Sequence, residues 1–145
     1  MQHPLDVNIF DMVSVEIPAP AAGSPAGLGI PGQTRILIVA ATFRLVTDAN
    51  GANRTVHMRF TDGTNTILEI GSPAVQTASI TRDYNFAIGI GSPYVGATDD
   101  ERVVPLPSEL YLVTGWDTVI NVENIQAGDQ LSEIFFTYQR WVHPI

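Results

Sequence analysis

The sequence contains no cysteine among its 145 residues. Disulfides and thiolate metal sites are therefore excluded, and the chain is not a disulfide-stapled mini-protein. Lysine is absent too: all seven basic residues are arginine. Charged residues make up only 15%, well below the roughly 25% of an ordinary soluble domain. A chain so poor in charge has difficulty covering its own surface with polar groups, which points to a surface partly covered by neighbours. Histidine occurs three times, as His3, His57 and His143. No apolar run approaches the ~20 residues that span a bilayer. Residues 1–10 lack the basic and apolar regions of a signal peptide.

What is present is an apolar content of 45%, enough for a hydrophobic core in a chain of one-domain length. The net charge of −8 and pI of about 4.5 oppose binding to nucleic acid or an anionic membrane. Arginine is the better cation for interfaces because its planar fork pairs bidentately and is weakly hydrated. A compositional bias is the simpler account of the missing lysine.

The dominant pattern has period two, the signature of strands buried on one face. It runs through Val13-Ser14-Val15-Glu16-Ile17, through Val56, Met58 and Phe60, and through Tyr84, Phe86, Ile88 and Ile90. It recurs at Leu110-Tyr111-Leu112 and at Ile120-Asn121-Val122. One-sided strands favour antiparallel sheets. Turn sequences separate them: Asp48-Ala49-Asn50-Gly51, whose Asn-Gly pair is a hairpin signal, Asp62-Gly63-Thr64-Asn65, Gly71-Ser72-Pro73, Gly91-Ser92-Pro93 and Ala127-Gly128-Asp129. No helical period persists. The expectation is an all-β antiparallel β-sandwich, jelly-roll-like, of about eight strands with almost no helix, formed by residues 1–145 as one domain.

Two strands depart from simple alternation. Residues 33–48 read as one long strand with Leu37, Val39, Ala41, Phe43 and Leu45 on the core face. The opposite face begins with Ile36, Ile38 and Ala40 before turning polar, so the first half is apolar on both sides. The last strand, 131–142, behaves similarly, with Ile134, Phe136 and Tyr138 on one face and Phe135 and Trp141 on the other. Either the strands bend and exchange inside for outside, or a subunit interface covers them. A Pro/Gly/Ala-rich stretch at about 18–32 reads as a long loop or arm, since proline removes ladder donors and glycine opposes stiff structure. A second loop candidate spans 92–107. The interface candidates are Ile36, Ile38, Phe135 and Trp141, with Pro18, Pro20, Pro25, Leu28 and Ile30 from the arm.

Motifs for chemistry are weak. A serine or threonine nucleophile needs an oriented base, and two of the three histidines sit near the termini while His57 lies on the polar face of a strand. No His-x-His or His-x-Asp pair occurs on a strand, which disfavours the iron and manganese chemistry of double-stranded β-helix enzymes. Asp99-Asp100-Glu101 offers oxygen ligands of the kind calcium prefers but lacks a known ligand spacing, and a solvated acidic tip is the simpler reading. The expectation is a non-enzymatic chain without metal or cofactor. Trp116, Trp141, Tyr94, Tyr111 and Tyr138 supply flat rings with polar edges, the basis of an alternative reading as a carbohydrate-binding module.

The C-terminal third carries Leu106-Pro107, then Leu110-Tyr111-Leu112-Val113 and Thr118-Val119-Ile120-Asn121-Val122. The turn Ile125-Gln126-Ala127-Gly128-Asp129 and a closing strand ending in Arg140-Trp141-Val142 follow. This succession, about a quarter of the chain, resembles small structural proteins of tailed bacteriophages. The resemblance implies a sandwich fold and a capsid decoration or cement role, working as a homo-oligomer (a trimer favoured) against the major capsid protein. It implies location on the virion surface after synthesis in the host cytoplasm. A tail or connector component is a further alternative, and no functional residue is carried over.

Overall fold

The computed structural model describes residues 10–96 and 100–142. Among these there is no helix, and eleven strands form two sheets. In chain order they are β1 (Asp11–Ile17), β2 (Ala26–Gly29), β3 (Thr34–Val46), β4 (Thr55–Thr61), β5 (Thr66–Gly71) and β6 (Thr81–Ala87). Then follow β7 (Tyr94–Val95), β8 (Glu101–Pro105), β9 (Tyr111–Val113), β10 (Asp117–Glu123) and β11 (Gln130–Val142). The larger sheet has the order β1-β11-β3-β6-β8-β7, with β9 lying beside the first part of β3. The smaller has the order β2-β10-β4-β5. Every pairing is antiparallel except that of β6 with β8. The expected all-β sandwich is the observed fold.

Alternation places the core as expected in most strands. Val56, Met58 and Phe60 of β4, Tyr84 and Phe86 of β6, Leu112 of β9 and Ile120 and Val122 of β10 enter one buried cluster between the sheets. Phe43 stacks on Tyr84 and Phe86 at centroid separations of 5.3 and 5.9 Å, an arrangement that adds to simple area burial. Burial pushes the Tyr84 phenol above its ordinary pKa, with Arg82 acting in the opposite direction. The phenol remains neutral and donates to Gln76 Oε1 at 2.8 Å. Gln76, also fully buried, donates to the carbonyls of Leu45 and Ile80, fixing the loop before β6 to the end of β3.

The long strands exchange faces through bulges. Between the pairs Ile38–Tyr138 and Ala40–Thr137, β3 carries the extra residue Val39. Because side chains alternate strictly, one inserted residue reverses which parity points inward. Ile36 and Ile38 therefore face the core at one end, and Ala41, Phe43 and Leu45 face it at the other. In β11, Glu133 and Ile134 together stand opposite Phe43, with Glu133 in left-handed backbone at φ 50°. Leu131 is inward before this bulge, and Ile134 and Phe136 after it. Of the two explanations offered for the doubly apolar segments, the exchange of faces accounts for Ile36 and Ile38. At 1% and 3% exposure, they are core residues and present no interface, which corrects their selection as surface candidates. Leu37, expected in the core, is buried as expected, at 5% exposure, but on the outer side of the sheet and outside the core cluster.

Other expectations change in detail. Asn50-Gly51 does not close a hairpin, because β3 and β4 belong to different sheets. Asp62–Asn65 does close one, between β4 and β5, with the Asp62 amide bonded to the Asn65 carbonyl at 3.1 Å. Its Asp62 carboxylate accepts from the Asn65 and Thr64 amides, which hold it below the usual carboxylate range. Within the 18–32 stretch, residues 26–29 form an edge strand on β10, and Ala26 and Ile30 enter the core. Leu28 packs against that core from partial exposure, while Pro18 and Pro25 are exposed. The 92–107 stretch contains β7 and β8, because Val103 and Val104 give it enough buried apolar surface to join the sheet.

Candidate interaction surface

The face of the larger sheet turned away from the core is built by parity and register. On β11 the outward residues after the bulge are Phe135, Thr137, Gln139 and Trp141. On β3 they are Arg35 and Leu37 before Val39, then Ala40, Thr42 and Arg44. β6 contributes Asp83, Asn85 and Ala87, and β9 contributes Tyr111 and Val113. Phe135 and Tyr111 are 41% and 40% exposed, and Phe10, Met12 and Val113 are exposed as well. This is an apolar population unusual for an outer sheet surface.

One end of the face is aromatic and cationic. Arg35 pairs across the ladder with Trp141 on one side and Val113 on the other. Its guanidinium carbon lies 4.9 Å from both the Tyr111 and Trp141 ring centroids, within the range of cation–π attraction. Phe10 and Tyr111 flank Trp141 at 5.4 and 5.5 Å. Neither Arg35 Nε nor Trp141 Nε1 has a hydrogen-bond partner, and no carboxylate among the described residues pairs with Arg35.

The other end is acidic. A cavity of about 280 Å³ is lined by Thr42, Phe43, Asp83, Tyr84, Asn85, Glu101, Glu133 and Phe135. Arg44 donates to Asp83 through Nε and Nη2 at 2.8 and 3.2 Å, and to Glu133 through Nη1 at 3.1 Å. Two carboxylates thus hold one guanidinium, and Glu101 is a third acid on the cavity wall. Asn85 Oδ1 is buried at this site without a donor. Between the two ends lie the small side chains of Ala40, Ala87 and Thr137, joined by the pairs Ala40–Ala87 and Ala40–Thr137.

The structure thus brings Phe135 and Trp141 to one face, at opposite ends, and leaves Pro18, Pro20, Pro25, Leu28 and Ile30 outside it. Sequence reasoning missed Arg35, Asp83 and Glu133, for which the weak trace was the doubly apolar character of β3 and β11. It named Glu101 only within the acidic run Asp99-Asp100-Glu101. Of the sugar-platform residues only Tyr111 and Trp141 come together, at 5.5 Å. Trp116 packs against the core, and the Trp141 ring is flanked by Arg35, Phe10 and Tyr111. On the smaller sheet His57 stands 3.7 Å from Glu69 and 3.5 Å from Glu123, with no nucleophile hydrogen-bonded to it among the described residues. His3, His143 and Asp99 lie outside the described residues. Among the described residues no three histidine or acidic side chains are grouped to hold a metal. Comparison with known protein families, characterised proteins and solved structures finds no match to this chain.

Proposed function

We propose that the chain is a virion structural subunit, a capsid decoration or cement protein of a tailed bacteriophage that works as a homo-oligomer and without catalysis. The observation that carries this reading is the outer face of the larger sheet, which exposes aromatic and aliphatic side chains beside an unpaired cation and a cluster of carboxylates. Such a surface supplies contact area and charge matching, which is what cementing neighbours requires. The strand order lends support. With β7, β8 and β9 set aside, β1-β11-β3-β6 faces β2-β10-β4-β5, an order we read as an eight-strand jelly roll, an arrangement frequent in viral capsid and lectin domains. The lectin alternative is less favoured because Trp116 packs against the core, away from Tyr111 and Trp141.

The test is co-sedimentation of the purified protein with empty capsids from the phage whose genome encodes it. Saturable binding, reduced by Phe135→Ala, is expected. A well-folded protein that does not bind capsids, whether or not it self-associates, would overturn the viral reading.

A further inference from the structure

We infer that the outer face of the larger sheet is self-complementary, and that two copies of this chain pair through it about a two-fold axis near Ala40. The inference rests on the assembly part of the reading above and not on its viral part. Two observations lead to it. The aromatic–cationic end and the acidic cavity lie on the same face, and both are centred on β3. From Arg35 to Thr42 is seven residues, roughly 23 Å of strand. The small residues Ala40, Ala87 and Thr137 stand between them.

Two patches on one flat face cannot form a ring of head-to-tail contacts, since both point the same way. A two-fold axis lying parallel to the sheet and perpendicular to β3, however, sets each patch against the opposite patch of the other copy in one step. That geometry favours a dimer over the trimer implied by the phage resemblance. The small side chains at the axis let the two sheets approach to the ~10 Å of ordinary sheet packing. A face five strands wide and about 25 Å long offers roughly 600 Å² in projection, near the ~800 Å² per partner of a stable pair.

The chemistry of the two ends matches. In the pair, Arg35 of one copy meets the cavity bordered by Asp83, Glu101, Glu133 and Phe135 of the other. No carboxylate among the described residues pairs with Arg35, whereas Asp83, Glu101 and Glu133 border the cavity and Arg44 pairs with the first and last of them. A planar guanidinium satisfies carboxylate and amide oxygens together while lying against an aromatic ring. Each contact occurs twice, once on either side of the axis.

Sedimentation of the full chain over a concentration series tests the pair. Wild type is expected at twice the 15.7 kDa subunit mass. Arg35→Glu and Glu101→Arg should each weaken association about tenfold or more, and the double variant should recover most of the loss. Thr137→Arg, which blocks the axis without altering the charge match, should give folded monomers whose melting midpoint no longer depends on concentration. Glu69→Arg, on the outer face of the smaller sheet, should leave the dimer intact. A wild-type monomer, a trimer, or an assembly indifferent to both Arg35→Glu and Thr137→Arg overturns the inference. A dimer that ignores capsids would remove the viral reading alone, and a monomer that binds them would remove only the pairing.

Discussion

Arg54 and Arg35 show two opposite uses of the same side chain. Arg54 is completely buried where the loops before β4 and β11 meet. It donates to Asp129 through Nε at 2.8 Å and Nη2 at 2.9 Å, to Asp48 at 2.7 Å, and to the carbonyls of Asn50 and Ala52. Asp129 also accepts from the Asp48 and Gln126 amides. Burial opposes its ionisation, but the hydrogen bonds from Arg54 and these amides outweigh that and hold its carboxyl below the ordinary range. Arg35, by contrast, rests against two rings and pairs with no carboxylate among the described residues. A guanidinium whose donors are spent inside the subunit locks the fold. One without a carboxylate partner is suited to meet something else.

The largest expected effect is on the locked arginine. Arg54→Met leaves Asp129 charged and buried without its partner, so stability should fall by about 3–5 kcal/mol, read by urea unfolding at neutral pH. A change under about 1 kcal/mol would mean that the clamp is not what joins these loops. Next comes the face exchange in β3. Ile38→Ala should cost about 2–4 kcal/mol through lost burial and a residual cavity, whereas Phe135→Ala on the outer face should cost under about 1 kcal/mol. Equal costs would contradict the bulge at Val39.

A smaller effect is expected from pH. The carboxyls of Asp129 and Asp48 are held below their unfolded values: at both, burial acts against ionisation and hydrogen bonds prevail. The unfolded chain therefore takes up protons first as pH falls. The clamp's contribution is present above the unfolded carboxylate pKa of about 3.9 and declines below it as the folded groups protonate. Unfolding measured between about pH 6 and pH 3 should show wild type losing more stability than Arg54→Met. Parallel curves would detach the pH dependence from the clamp.

The core faces of the regular strands were legible because alternation is local. Val56, Met58 and Phe60 declare their inward face whatever lies opposite them. Eleven strands form where about eight were expected, however, since β2, β7 and β8 lie in stretches read as loops. The bulges were not legible, since one extra residue has no composition of its own; only the doubly apolar reading of 33–48 marked the place. The Asn-Gly at 50–51 gave a turn but not its connection, because crossing between sheets depends on tertiary packing. The two arginine sites were invisible for a related reason. Arg54 and Asp129 are 75 residues apart, and Arg35 meets Tyr111 and Trp141 only through the registers of three strands.

The smallest effect on stability sharpens the comparison most. Arg35→Ala removes a cation–π stack at a partly exposed site, worth about 0.5–1 kcal/mol, and leaves no buried charge behind because the side chain pairs with no carboxylate among the described residues. Unfolding of the subunit under conditions that hold it monomeric, such as the Thr137→Arg background, should therefore change little. In the unblocked protein the same substitution should lower the unfolding midpoint more at high concentration than at low, since stability gained by association follows mass action. A loss of several kcal/mol in the blocked background would instead make Arg35 a second clamp. The contrast with Arg54 would then be one of exposure alone.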